Sequence, residues 1–124
     1  MIIMRVLAIR GATTASSNKR EDILNETATL INKIITNNNL ESDDIISMCF
    51  TMTKDLDAVY PAVAVRENLG LVDIPLLNFE EKYIVGSLEK CIRVIMYINS
   101  DKNKSDIKHV YLNKADILRP DLSK

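Results

Sequence analysis

CIRVIMYIN, residues 91–99, reads as a buried strand with one residue out of place. Cys, Ile, Val, Met and Tyr surround Arg93. Arginine is almost never fully buried without a partner, and burying its charge unpaired is costly. Side chains on a strand alternate faces. Ile92, Val94, Met96 and Ile98 make one aliphatic face, the natural one to pack beneath helices. Cys91, Arg93, Ile95 and Tyr97 fall on the other. Arg93 is therefore either a solvated cation on an open sheet face or a cation lining a pocket or subunit interface.

Working outward, residues 2–9 (IIMRVLAI) form an apolar strand ending at Arg10-Gly11, and GATTASSN reads as a loop. Ser17 or Asn18 can cap the next element. Over residues 19–37, Ile23, Leu24, Leu30, Ile31, Ile34 and Ile35 recur at helical spacing and predict an amphipathic helix. Residues 45–52 (IISMCFTM) read as a strand. DLDAVYPAVAVRENLG predicts a helix with Pro61 near its first turn and Gly70 just past its end. LVDIPLL, residues 71–77, predicts an edge strand because of Pro75, and NFEEKYIVGSLEK a loop. IKHVYL reads as a last strand, hairpin-paired with 91–99. NKADILRPDLSK is a tail. The order is an α+β class: a mixed five-stranded sheet with helices on one face. That cover leaves the other face wet or buried against a partner chain.

The 124 residues fit one domain, 1–124, with residues 113–124 as its C-terminal tail. Apolar residues make up 47% and charged residues 27%, with net charge −1, so the chain has no basic stripe for nucleic acid. No apolar run reaches the roughly 20 residues of a membrane span, and the N-terminus does not read as a signal peptide. A cytoplasmic location is the expectation. Cys49 and Cys91 make no CxxC or zinc spacing and read as small buried hydrophobes. A single histidine, His109, rules out a multi-histidine metal site. Arg10, Arg66 and Arg119 each have a bland reading as a strand-end, helix-face or tail charge. If several converge with Arg93 they bind an anion, because arginine suits bidentate carboxylate recognition.

IRGATT (9–14), AVYPAVAVRE (58–67), KCIRV (90–94), HVYL (109–112) and LRPDL (118–122) resemble the monofunctional chorismate mutases of the Bacillus type, the AroH class. The likeness runs nearly end to end. It implies a homotrimer, a pseudo-α/β-barrel of sheets with the helices outside and active sites between subunits. It implies rearrangement of chorismate to prephenate, in the shikimate pathway of aromatic amino-acid biosynthesis, with no metal and no organic cofactor. By the same resemblance Arg93 is the catalytic arginine at the substrate's ether oxygen, Arg10 binds a substrate carboxylate, and Glu81 accepts from the substrate hydroxyl, with Glu80 its solvated neighbour. Tyr111 assists anion binding. Tyr60 and Arg66 come from the neighbouring subunit. Leu77, Asn78, Phe79, Glu80 and Glu81 form a wall. Leu118 and Arg119 belong to a mobile tail that orders over the site.

The sequence departs from that pattern at three positions: Asn78 for a cysteine, Tyr60 for a phenylalanine, and Val63 for a lysine at the pocket mouth. The tail is also short after Lys124. A pericyclic rearrangement needs neither nucleophile nor proton transfer, which fits the lack of a triad. The competing readings are a trimeric carboxylate-binding protein or imine deaminase of the YjgF/RidA type, and a regulatory binding module.

Overall fold

The computed structural model describes residues 3–118. Arg119 and the rest of the LRPDL motif lie outside the described residues. Five strands form one mixed sheet: β1 (Arg5–Thr14), β2 (Ile45–Met52), β3 (Leu76–Glu80), β4 (Cys91–Ser100) and β5 (Val110–Tyr111), in the order β3-β2-β4-β1-β5. β4 runs antiparallel to both β1 and β2, whereas β3 is parallel to β2 and β5 parallel to β1.

The aliphatic face of β4 packs as expected: Ile92, Val94, Met96 and Ile98 are buried together with Leu7 and Ile9 of β1 and Met48 and Phe50 of β2. Over them lies α1 (Arg20–Asn37), which buries Ile23, Leu24, Leu30, Ile31 and Ile34. Each such side chain contributes about 1.5–3 kcal/mol. The one hydroxyl on that stripe, on Thr27, donates to the Ile23 carbonyl at 2.7 Å. Neither Ser17 nor Asn18 caps α1. Ser17 bonds Asp22, and Asn18 is drawn away to accept from the Asp57 and Ala58 amides.

Several boundaries differ from the sequence reading, each for a physical reason. β1 continues through Gly11 to Thr14 instead of ending at Arg10-Gly11. Gly11 is not a stop but a place of close approach: a Cβ there would lie 2.8 Å from Ile34 Cδ1 and 3.2 Å from the Val110 carbonyl oxygen. The second helix shrinks to α2 (Val63–Glu67), entered through Pro61 and ended before Gly70 at φ 69°. β3 starts after Pro75 and takes in Asn78, Phe79 and Glu80, residues whose local pattern is that of a loop. It is an edge strand, as Pro75 suggested. The β4–β5 hairpin does not form. Both edges of β4 are taken by β1 and β2, so the chain crosses over and Val110–Tyr111 adds beside Gly11 and Ala12. Residues Asn113–Ile117 of the tail form a 3₁₀ helix.

Candidate active site

The sheet face opposite the helices carries the site. Register fixes its rows. Phe79 on β3 pairs with Thr51 on β2, Thr51 with Arg93 on β4, Arg93 with Ala12 on β1, and Ala12 with Tyr111 on β5. One strip thus draws one residue from each of the five strands. The next strip runs Leu77, Cys49, Ile95, Arg10. Arg10 is therefore the diagonal neighbour of Arg93, with Cα atoms separated by about 7–8 Å. Arg10 sits mid-strand, not at a strand end, and its amide donates to His109 Nδ1 at 2.9 Å.

Glu81 follows β3 directly. Its amide donates to the Met52 carbonyl at 2.8 Å, which carries the β2–β3 pairing one residue further. Its carboxylate Oε1 lies 3.1 Å from Arg93 Nε. The two are an ion pair, but the Nε–H is not aimed at the carboxylate, so the bond of a well-set Arg–Glu pair is missing. Glu80, one residue earlier, is exposed.

Among the described residues, four buried side-chain polar atoms have no hydrogen-bond partner: Thr51 Oγ1, Glu81 Oε2, Arg93 Nε and Tyr111 OH. All four belong to this strip or to the residue just past its β3 end. Buried polar groups are normally paired, and an unpaired one costs about 1–3 kcal/mol. Four together mark a place built to meet polar groups of a ligand. Arg93 was legible from its strand, and Glu81 and Tyr111 only through the family resemblance. Thr51 was not, because IISMCFTM reads as plain strand.

The entry into β4 is also fixed. Lys90 adopts a left-handed backbone (φ 47°), and its amide donates to both Asp55 carboxylate oxygens at 2.9 and 3.1 Å. Thr53 donates to Asp55 and accepts from the Cys91 amide at 3.0 Å. This holds β4 rigid two residues before Arg93. Burial pushes the Cys91 thiol up from 9.0 to about 11, with the Arg93 cation pulling the other way. Cys91 therefore stays neutral near pH 7 and does not consume the guanidinium charge.

Beside the ion pair opens a cleft of about 190 Å³, lined by Arg93, Glu81, Asp55, Lys54, Tyr83 and Leu88. The Lys54 ammonium stands 4.1 Å from the centre of the Tyr83 ring at its rim. A wider depression of about 560 Å³ between α1 and α2 holds the Arg20–Glu67 ion pair and none of the expected site residues.

The remaining expected residues divide. Leu118 packs on Ala12, Tyr111 and Ala115, beside the strip. Leu77 and Phe79 project from the same face and are exposed. Asn78 does not: its Oδ1 accepts from the Ala62 amide at 3.0 Å, so it braces the start of α2 on the helix side. Tyr60 and Arg66 are exposed, before and on α2, away from the cleft of their own chain. No group of three or more His, Cys, Asp or Glu among the described residues could hold a metal ion, and no described helix is long and apolar enough to cross a membrane.

The profile of the chorismate mutase type I family matches residues 6–122. The chain belongs to that family. It is 44% identical over 120 residues to chorismate mutase AroH of Bacillus subtilis, covering 97% of this chain and 94% of that protein. It is 38% identical over 118 residues to chorismate mutase AroH of Thermus thermophilus, covering 94% and 96%. A solved chorismate mutase from Clostridium thermocellum superposes with a TM-score of 0.87 at 54% identity, covering 90% of this chain and 98% of that one. The activity of this chain is that of a chorismate mutase, an isomerase of aromatic amino-acid biosynthesis. The imine-deaminase reading is not favoured.

Proposed function

We propose that this single domain rearranges chorismate to prephenate on the strip centred on Arg93, and that the working form is a homotrimer. The observation that carries the reading is the Arg93–Glu81 pair at 3.1 Å amid buried polar atoms left unpartnered.

In the rearrangement the C–O bond breaks ahead of C–C bond formation, and negative charge grows on the ether oxygen. A fixed cation beside that oxygen binds the transition state better than the ground state. Arg93 is about one-third exposed, so its guanidinium reaches the cleft while its stem stays held between Thr51 and Ala12. Arg10, diagonal to it, takes a substrate carboxylate, with Tyr111 assisting. Glu81 fixes the substrate hydroxyl. Rate enhancements at the low end, about 10⁶-fold, need about 8 kcal/mol. One preorganised donor supplies about 3–4, and the rest comes from holding the compact reactive conformer.

The trimer is supported by what one chain leaves open. Val6, Leu77 and Phe79 are 64%, 58% and 51% exposed on the face opposite the helices. Contiguous exposed apolar surface marks association. The cleft is also small against the roughly 300–1,000 Å³ of a complete ligand site, which fits a site finished by a neighbour bearing Tyr60 and Arg66. Leu118, packed on Ala12, Tyr111 and Ala115, flanks it from the tail. Two free thiols, Cys49 and Cys91, suit a reducing cytoplasm.

The test is purified protein with chorismate, following loss of its ultraviolet absorbance and converting product to phenylpyruvate with acid, alongside light scattering for mass. Saturable turnover lost in Arg93→Ala, from a particle of three chains, is expected. Turnover unaffected by Arg93→Ala sinks the assignment of the strip, and a catalytically active monomer sinks the shared site.

A further inference from the structure

Thr51 is absent from the set of residues that the resemblance assigned to the site, yet it faces Arg93 directly across the β2–β4 pairing. Directly opposed side chains on one sheet face have Cβ atoms about 4.5–5.5 Å apart, within mutual reach. Its hydroxyl is buried and unpartnered. The other threonines near the core are bonded: Thr27 to a helix carbonyl, Thr53 to Asp55 and the Cys91 amide, Thr13 to Glu26 and Asn113. Thr51 is the exception, and it lies beside two further unpartnered atoms of opposite type.

Arginine offers only donors and a carboxylate only acceptors, while a hydroxyl is both. Arg93 Nε–H lacks an acceptor and Glu81 Oε2 lacks a donor. A single hydroxyl can serve both. We infer that Thr51 is a positioning residue of the mutase site: with substrate bound, its hydroxyl donates to Glu81 Oε2 and accepts from Arg93 Nε–H, locking the pair in one arrangement. This rests on the reading of the strip given above. The free protein holds the group unbonded, and the cost of that unpartnered oxygen is recovered when substrate closes the network. The misaligned 3.1 Å ion pair is then bridged through the hydroxyl, with the terminal guanidinium nitrogens of Arg93 left for the reacting oxygen.

The experiment compares Thr51→Val, which keeps the β-branched shape without the hydroxyl, with Thr51→Ser, which keeps the hydroxyl. Steady-state kinetics with chorismate and thermal unfolding without it are read for both, with Arg93→Ala as control. For Thr51→Val, kcat falls about tenfold to hundredfold, as expected for a lost hydrogen bond to a charged group, while KM stays within about threefold. Its unfolding temperature stays level or rises, because an unpartnered buried oxygen has gone. Thr51→Ser keeps kcat within about threefold of wild type by the same bond count. A structural role alone lowers stability in Thr51→Val, and that result overturns the inference. So does a Thr51→Val enzyme with unchanged kcat, or a Thr51→Ser enzyme as poor as Thr51→Val. Arg93→Ala separates the levels. If it is inactive while Thr51→Val is normal, Thr51 alone is misassigned. If it is fully active, the strip itself is.

Discussion

Replacing Arg93 by lysine keeps the charge and removes the geometry, which makes it the sharpest test of the site. In the structure Arg93 is set by register between Thr51 and Ala12 in the sheet, and its Nε lies 3.1 Å from Glu81 Oε1 as an ion pair without an aimed hydrogen bond. Lysine is one flexible chain ending in a point charge, without the planar fork and without a donor at the Nε position. It keeps part of the long-range attraction for a dianion. It loses the donor that the proposed mechanism places at the ether oxygen, and removing such a donor typically costs about 3–4 kcal/mol, or about 10²–10³-fold in kcat. In the proposed site binding draws on Arg10 and Tyr111, so KM moves less than kcat. The assay is initial rate against chorismate concentration at constant ionic strength, since screening changes with salt. Circular dichroism and light scattering confirm fold and mass. Arg93→Lys is expected to lose at least about 100-fold in kcat, and Arg93→Ala more, because Glu81 then stands beside the substrate with no counter-charge. If Arg93→Lys turned over within about threefold of wild type, a positioned donor is not what the enzyme supplies.

Arg10→Ala is expected to raise KM about tenfold or more with a smaller change in kcat, since it removes a charge-assisted carboxylate contact. An unchanged KM in the same assay would remove Arg10 from substrate binding. Gly11→Ala places a methyl 2.8 Å from Ile34 Cδ1 and 3.2 Å from the Val110 carbonyl. It is expected to cost about 1–3 kcal/mol in urea unfolding, and a neutral result would show that α1 gives way freely. The Cys91 thiol, raised from 9.0 to about 11 by burial, binds its proton more tightly folded than unfolded. Its contribution is full below about pH 9 and fades as pH rises through 11, amounting to about 2–3 kcal/mol. Unfolding at pH 8 and pH 10.5 reads it, and a Cys91→Ala chain that loses as much stability over that range excludes Cys91 as the cause.

What the sequence made plain was set by period. The alternation in 91–99 placed Arg93 opposite the helices, and the 3.6-residue spacing over 19–37 placed α1, both as found. What it concealed depended on distant partners. Gly11 reads as a strand stop until α1 is seen against it. NFE reads as loop because its pairing is to β2, far back in the chain. The β4–β5 hairpin is the obvious local pairing, and it fails because both edges of β4 are already used. At the site, an arginine within an apolar strand announced Arg93, while Glu81 came only through the family resemblance. Asn78 appeared to belong with them, yet its side chain turns to the α2 backbone. Thr51 gave no sign, since an unpartnered hydroxyl is a property of register and not of composition.

The strip that takes one residue from each strand also bears on how the enzyme comes into being. Ala12 and Tyr111 are adjacent in the sheet, while 98 residues of the chain run between them. Pairings of such long sequence separation form late, because closing the loop costs entropy before any contact repays it. A chain emerging from the ribosome can lay β2, β3 and β4 together with β1 and still lack its fifth strand. On the proposed reading of the site, catalytic competence arrives only once β5 has paired with β1. Partly made chains would show the open apolar face before they could do any chemistry, which exposes them to aggregation at that stage. Refolding followed by activity should accordingly lag behind refolding followed by helix content.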